Sequence, residues 1–101
     1  MKAKMKIVVQ HWDRTTEEIY ATPVTLVVPG FSKPIQAATD KRGSWWFVTD
    51  IEAGAYIVKG KTRKEAIALA IARLDKVGEV AYDAAVTHWG PPKAEAKNEA
   101  L

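Results

Sequence analysis

The chain contains no cysteine, so it has no disulfide framework, no thiolate nucleophile and no cysteine-ligated zinc site. Cytoplasmic residence is the expectation that follows. Long apolar runs are missing too. The amino terminus, MKAKMKIVVQHW, starts positive, but its apolar run is cut off at Gln10, His11 and Trp12, too short for a signal-peptide core. No later segment approaches membrane-spanning length, so no membrane partner is expected. Catalytic signatures are also absent. Serine occurs only at Ser32 and Ser44, with no Gly-x-Ser-x-Gly elbow, no Walker loop and no dinucleotide glycine pattern. His11 and His88 lack a partner at metal-ligand spacing, and Asp50 and Glu52 bracket Ile51 before a turn, an ordinary place for carboxylates. These absences point away from an enzyme, a metal and a cofactor.

What is present suffices for one modest domain. Of the 101 residues 48% are hydrophobic, but sixteen are alanine, so the bulk of a core has to come from four Trp, three Tyr, two Phe and the branched aliphatics. Gly90-Pro91-Pro92 stops regular structure, and the polar, alanine-rich KAEAKNEAL that follows reads as a flexible tail. A single domain is therefore expected over residues 1–90, with a tail over 91–101. Net charge is only +3, yet it is unevenly spread. Residues 1–64 carry eleven Lys or Arg against six acids, and residues 65–101 carry four against six, a balance of +5 and −2. The basic surface belongs to the strand-rich part and the helix start.

Alternation and β-branching predict a first strand over residues 5–12, broken by DRTTEE at 13–18. VTLVV at 24–28 and FSKPIQAA at 31–38 flank Pro29-Gly30 and read as a hairpin, with Pro34 suggesting an edge position for the second segment. TDKRGS at 39–44 reads as a polar turn. Strands near 45–51 and 55–60 form a second hairpin around Glu52-Ala53-Gly54. Its alternation puts Trp45, Phe47 and Thr49 on one face and Trp46, Val48 and Asp50 on the other. One layer cannot bury both adjacent tryptophans, so one of them is a contact candidate.

Thr62-Arg63-Lys64-Glu65 is a capping box: the Thr62 hydroxyl accepts from the Glu65 amide, and the Glu65 carboxylate is expected to reach back to the Thr62 amide. Ile67, Ala70, Ile71, Leu74 and Val77 then form the stripe predicted to lie on the sheet. Gly78 divides this helix from a second apolar stripe, Tyr82, Val86 and Trp89, which requires either two helices or one sharply bent. The expected fold class is α+β, a two-layer sandwich of four to five antiparallel strands packed on a carboxy-terminal helix.

A strand ending in glycine, a capping threonine, then Glu-Ala with alanine or leucine every four residues, GAYIVKGKTRKEAIALAIARL, resembles the amino-terminal domain of HicB antitoxins and the end of a double-stranded RNA-binding domain. The resemblance covers residues 45–74 and implies a β-β-β-α core. The RNA-binding pattern implies phosphate contacts from two basic residues at the helix start, matched by Arg63 and Lys64, with Ala66 matching its alanine. Its third basic position is Ile67 here, and its amino-terminal helix has no counterpart. Against the HicB pattern, Gly54 to Gly60 is one residue longer, and no DNA-binding segment is recognisable in 79–101. That resemblance implies a small toxin-like protein as partner.

Two readings follow. The first is a non-enzymatic regulatory or inhibitor module, antitoxin-like and phage- or plasmid-associated, that binds a protein partner or a second copy of itself through Trp46, Tyr82, Val86 and Trp89. The alternative is a nucleic-acid-binding module that contacts phosphates through Lys59, Lys61, Arg63 and Lys64, with Lys41 and Arg42 flanking a stacking platform of Trp45, Trp46, Phe47 and Tyr56. Four cations at the positive end of a helix repel one another, a cost with only Glu65 nearby to offset it.

Overall fold

The computed structural model describes residues 4–11, 13 and 15–90, and the expected tail at 91–101 lies outside them, as does Trp12. Five strands, β1 (Met5–Gln10), β2 (Thr16–Leu26), β3 (Ile35–Arg42), β4 (Trp45–Asp50) and β5 (Ala55–Gly60), form one antiparallel sheet in the order β1-β2-β3-β4-β5. Two helices follow, α1 (Arg63–Val77) and α2 (Glu79–Trp89). The α+β, sheet-on-helix architecture is as the sequence pattern predicts.

Several limits differ from expectation: of the segments 24–28 and 31–38 read as a hairpin, Val27, Val28 and residues 31–34 lie outside the strands. Thr16–Glu18 are strand, because they pair with Val8–Gln10 and extend β2 to eleven residues. Thr39–Arg42 are strand as well, and only Gly43 (φ 60°) and Ser44 make the turn to β4. β3 is an interior strand, and Pro34 precedes its first residue, so it removes no ladder donor and does not mark an edge.

The sheet has two occupied faces. Toward the helices lie Leu26, Val28, Ile35, Ala37, Val48 and Ile57, which pack on Ala66, Ala70 and Leu74 of α1. The buried axis of α1 is therefore Ala66-Ala70-Leu74, with Ile67 and Ile71 flanking it and Val77 exposed, a rotation from the expected stripe. Alanines at the axis let α1 sit close. The start of α1 is capped by Thr62, whose hydroxyl accepts from the Glu65 amide at 3.0 Å. The Glu65 carboxylate reaches the Lys61 amide at 2.6 Å, one residue earlier than a standard capping box.

On the opposite face Ile7, Val9, Ala21 and Ala38 form a second, smaller core. It exists because β2 changes partner: residues 16–21 pair with β1 and residues 22–26 with β3. The β1–β2 ribbon can then curl over the far face until Gln10 N donates to Gly54 O, in the β4–β5 turn, at 2.7 Å. The far face is consequently concave.

Gly78 (φ 91°) ends α1, donating its N–H to Leu74 O, and the chain restarts as α2, resolving the two stripes into two helices. α2 has no fully buried residue. It is pinned by Phe31 against Tyr82 (ring centroids 5.7 Å apart), by the Ser32 hydroxyl donating to Glu79 Oε2 at 2.7 Å, and by Gln10 Nε2 donating to Gly90 O at 3.0 Å. No helix among the described residues is long and apolar enough to cross a membrane.

Candidate functional site

The register of β3, β4 and β5 decides which side chains meet. Lys41 pairs with Trp46 and Trp46 with Gly60; Arg42 pairs with Trp45, and Phe47 with Lys59. The β3–β4 turn, the end of β5 and the start of α1 thus share one end of the sheet. Lys41, Arg42, Lys59, Lys61, Arg63 and Lys64 all lie there, and Asp40 and Glu65 are the carboxylates on the same segments.

Between Val48↔Val58 and Thr49↔Tyr56 the register shifts by one. This bulge leaves Ile57 extra on β5, so Ile57 and Val58 both serve the helix-side core. Regular alternation from Val58 would turn Tyr56 toward the helices. With the bulge, Tyr56 lies opposite Thr49 on the concave face, its ring 5.7 Å from that of Phe47. Trp45 shares that face, 38% exposed, with Lys59 Nζ 4.8 Å from its ring centroid. The Arg42 guanidinium stands 4.6 Å over Phe47, and its Nε donates to Asp40 Oδ2 at 2.6 Å. Three aromatic rings and two cations are thereby gathered on one curved surface.

The same face deepens into a cleft of about 420 Å³, with Phe47, Thr49 and Tyr56 along β4 and β5, Arg42 at one end, and Gln10 and Trp89 at the other. Gln10 and His11 belong to this wall although their sequence context is unremarkable. Only the curl of β1 brings them there, and no local pattern in MKIVVQHW signals it. His11 Nε2 lies 3.2 Å from Glu17 Oε1.

The remaining anticipated residues fall elsewhere. Arg63 turns inward and donates from Nε to Thr39 Oγ1 at 2.9 Å, which makes it a tether between α1 and β3, whereas Lys61 and Lys64 stay exposed. Trp46 and Tyr82 pack against the helix-side core. Val86 and Trp89 line a second, smaller slot of about 210 Å³ between α1, α2 and β5. Among the described residues no group of three or more His, Asp or Glu is placed to hold a metal.

No protein-family model, curated protein or solved structure matches this chain.

One buried acid lies under α2. Asp50 is buried on the helix side, accepting from the Glu52 amide at 3.2 Å and from the Tyr82 hydroxyl. Burial raises its carboxyl above the ordinary 3.8, and burial together with the Asp50 charge raises the Tyr82 hydroxyl. The folded state thus holds the Asp50 proton more tightly than the unfolded chain does. Its contribution to stability is full below the unfolded value and is lost as pH rises through the folded one. The exposed Asp13 and Glu79 are shifted down and act in the opposite sense, but equally in a protein altered only at Asp50. The unfolding midpoint of the wild type, measured against that of Asp50→Asn, should therefore gain as pH falls from neutrality toward about 4. A difference that stays level with pH would show that Asp50 is not buried as a carboxyl.

Proposed function

We propose that this protein is a non-enzymatic binding module for single-stranded nucleic acid, with the concave sheet face as its working surface. The observation that supports it is the strand register, which brings Trp45, Phe47 and Tyr56 onto one face at the end of the sheet where Lys41, Arg42, Lys59, Lys61 and Lys64 cluster. Single-strand binders combine rings on which bases stack with cations that follow the backbone. Bases inside a duplex offer no free π-face, and a cleft of about 420 Å³ is too small to admit a duplex. Lys59 and Arg42, already lying over rings, would hold phosphates beside the stacked bases.

The test is a titration of a labelled oligodeoxynucleotide, single-stranded and as a duplex of the same sequence, at several salt concentrations. The single strand should bind more tightly, with log affinity falling linearly in log salt. Trp45→Ala should weaken it by about tenfold, since stacking of one base contributes about 1–3 kcal/mol. Duplex preference, or a single-strand affinity insensitive to both salt and Trp45, would overturn the proposal.

The protein-binding, antitoxin-like reading takes second place. Its expected anchors Trp46 and Tyr82 are half-buried in the core, but Val80 is 86% exposed and adjoins exposed Val77 at the α1–α2 corner. Sizing of the wild type against Val80→Asp, with a complex or dimer that dissociates in the variant, would favour it.

A further inference from the structure

The cleft is not open at both ends. At the β4–β5 turn it is shut by Gln10, which donates from its backbone N–H to Gly54 O at 2.7 Å and from Nε2 to Ala53 O at 2.8 Å and Gly90 O at 3.0 Å. These three bonds tie β1, the turn and the end of α2 together, and Trp89 stands beside them in the wall. The opposite end, at Arg42 and Phe47, is continuous with the exposed Trp45 and Lys59.

Charge follows the same axis. Among the described residues Arg42 is the one Lys or Arg in the cleft wall, and it stands at the open end. By the closed end Glu17 is bonded to His11. A polyanion running along the face is attracted at the open end. The volume, about 420 Å³, falls within the ~300–1,000 Å³ of sites that hold one small molecule. That volume suits one base with its sugar.

We propose that the cleft captures the terminal nucleotide of a single strand. The phosphates lie along the cation-rich end, and the last unpaired base turns in to stack on Phe47 and Tyr56. The ligand class is thus a free single-strand end, not an internal stretch of a long strand. This rests on the single-strand reading above, and adds to it a requirement for an end.

The experiment compares a mixed-sequence oligodeoxynucleotide labelled at an internal base with the same molecule ligated into a circle. The linear form should bind the wild type at least about tenfold more tightly than the circle, the worth of one stacked base. Tyr56 is 55% exposed, so Tyr56→Ala should keep its unfolding midpoint. It should lower the affinity for the linear form by more than that for the circle, so that the preference for an end is lost. Equal affinity of linear and circular forms for the wild type overturns end capture and leaves the face reading standing. A Tyr56→Ala variant that loses both forms equally also overturns end capture, because Tyr56 would then serve internal bases. If neither form binds, both readings fall.

Discussion

Reversing two charges together, Lys59→Glu with Lys61→Glu, should cut single-strand affinity by about a hundredfold at low salt and flatten the salt dependence by roughly 1.4 in slope, about 0.7 for each lost phosphate. Thermal stability should hold. Lys61 directly precedes the amino-terminal cap of α1, and its amide donates to the Glu65 carboxylate. A carboxylate at 61 favours the helix dipole by about 0.3–1 kcal/mol, which offsets the loss of the Lys59 contact with the Trp45 ring. Affinity that falls while the unfolding midpoint holds would identify the cluster as a binding feature. If the variant binds as tightly as the wild type, the cations are solvated rim and the proposed face is wrong. Arg63 is not a partner for this test. It ties α1 to Thr39, so its loss would mix folding with binding.

The second large effect is expected at Gly60. A Cβ built there would meet Ala66 N at 2.8 Å and Ala66 Cα at 2.9 Å, both backbone atoms that cannot swing aside. Gly60→Ala must lift the first turn of α1 from β5, for which overpacking of about 3 kcal/mol is a reasonable scale. In a domain of this size that lowers the unfolding midpoint by at least about 10 °C. Gly43→Ala is the control. Gly43 has φ +60° but nothing within 4 Å, so only left-handed backbone strain of about 1 kcal/mol applies. Equal midpoints for the two variants would mean that α1 does not rest on β5 as described. The same contact links fold to site, because lifting α1 also displaces Lys61 and Lys64 from the end of the sheet they share with Trp45.

Much of the frame was legible in local pattern. TRKE marked the start of α1, and the Glu65 amide does bond to Thr62. The WWFVTD alternation separated Trp45 and Phe47 from Trp46 and Val48, and the register bears this out. The strand limits at Thr16–Glu18 and Thr39–Arg42 were not legible, since their polar residues resemble turns. Pairing partners supplied by distant segments make them strand. For the helix stripe, spacing alone left the rotation free, and the close seat at Gly60 and Ala66 chose the Ala66-Ala70-Leu74 axis.

The candidate site divides along the same line. Sequence alone determined the chemical inventory: an aromatic-rich hairpin, a cation cluster at a helix start and no catalytic or metal-ligand pattern. Local periodicity carries that much because side-chain direction repeats with backbone geometry. Three juxtapositions were decided only by tertiary structure. Register placed Lys41 and Arg42 beside the end of β5. One extra residue in β5 turned Tyr56 onto the ring face with Phe47. The change of partner along β2 let β1 curl until Gln10 closed the cleft. Each depends on hydrogen bonds between segments far apart in the chain, and a short-range pattern holds no information about which distant strand will supply them.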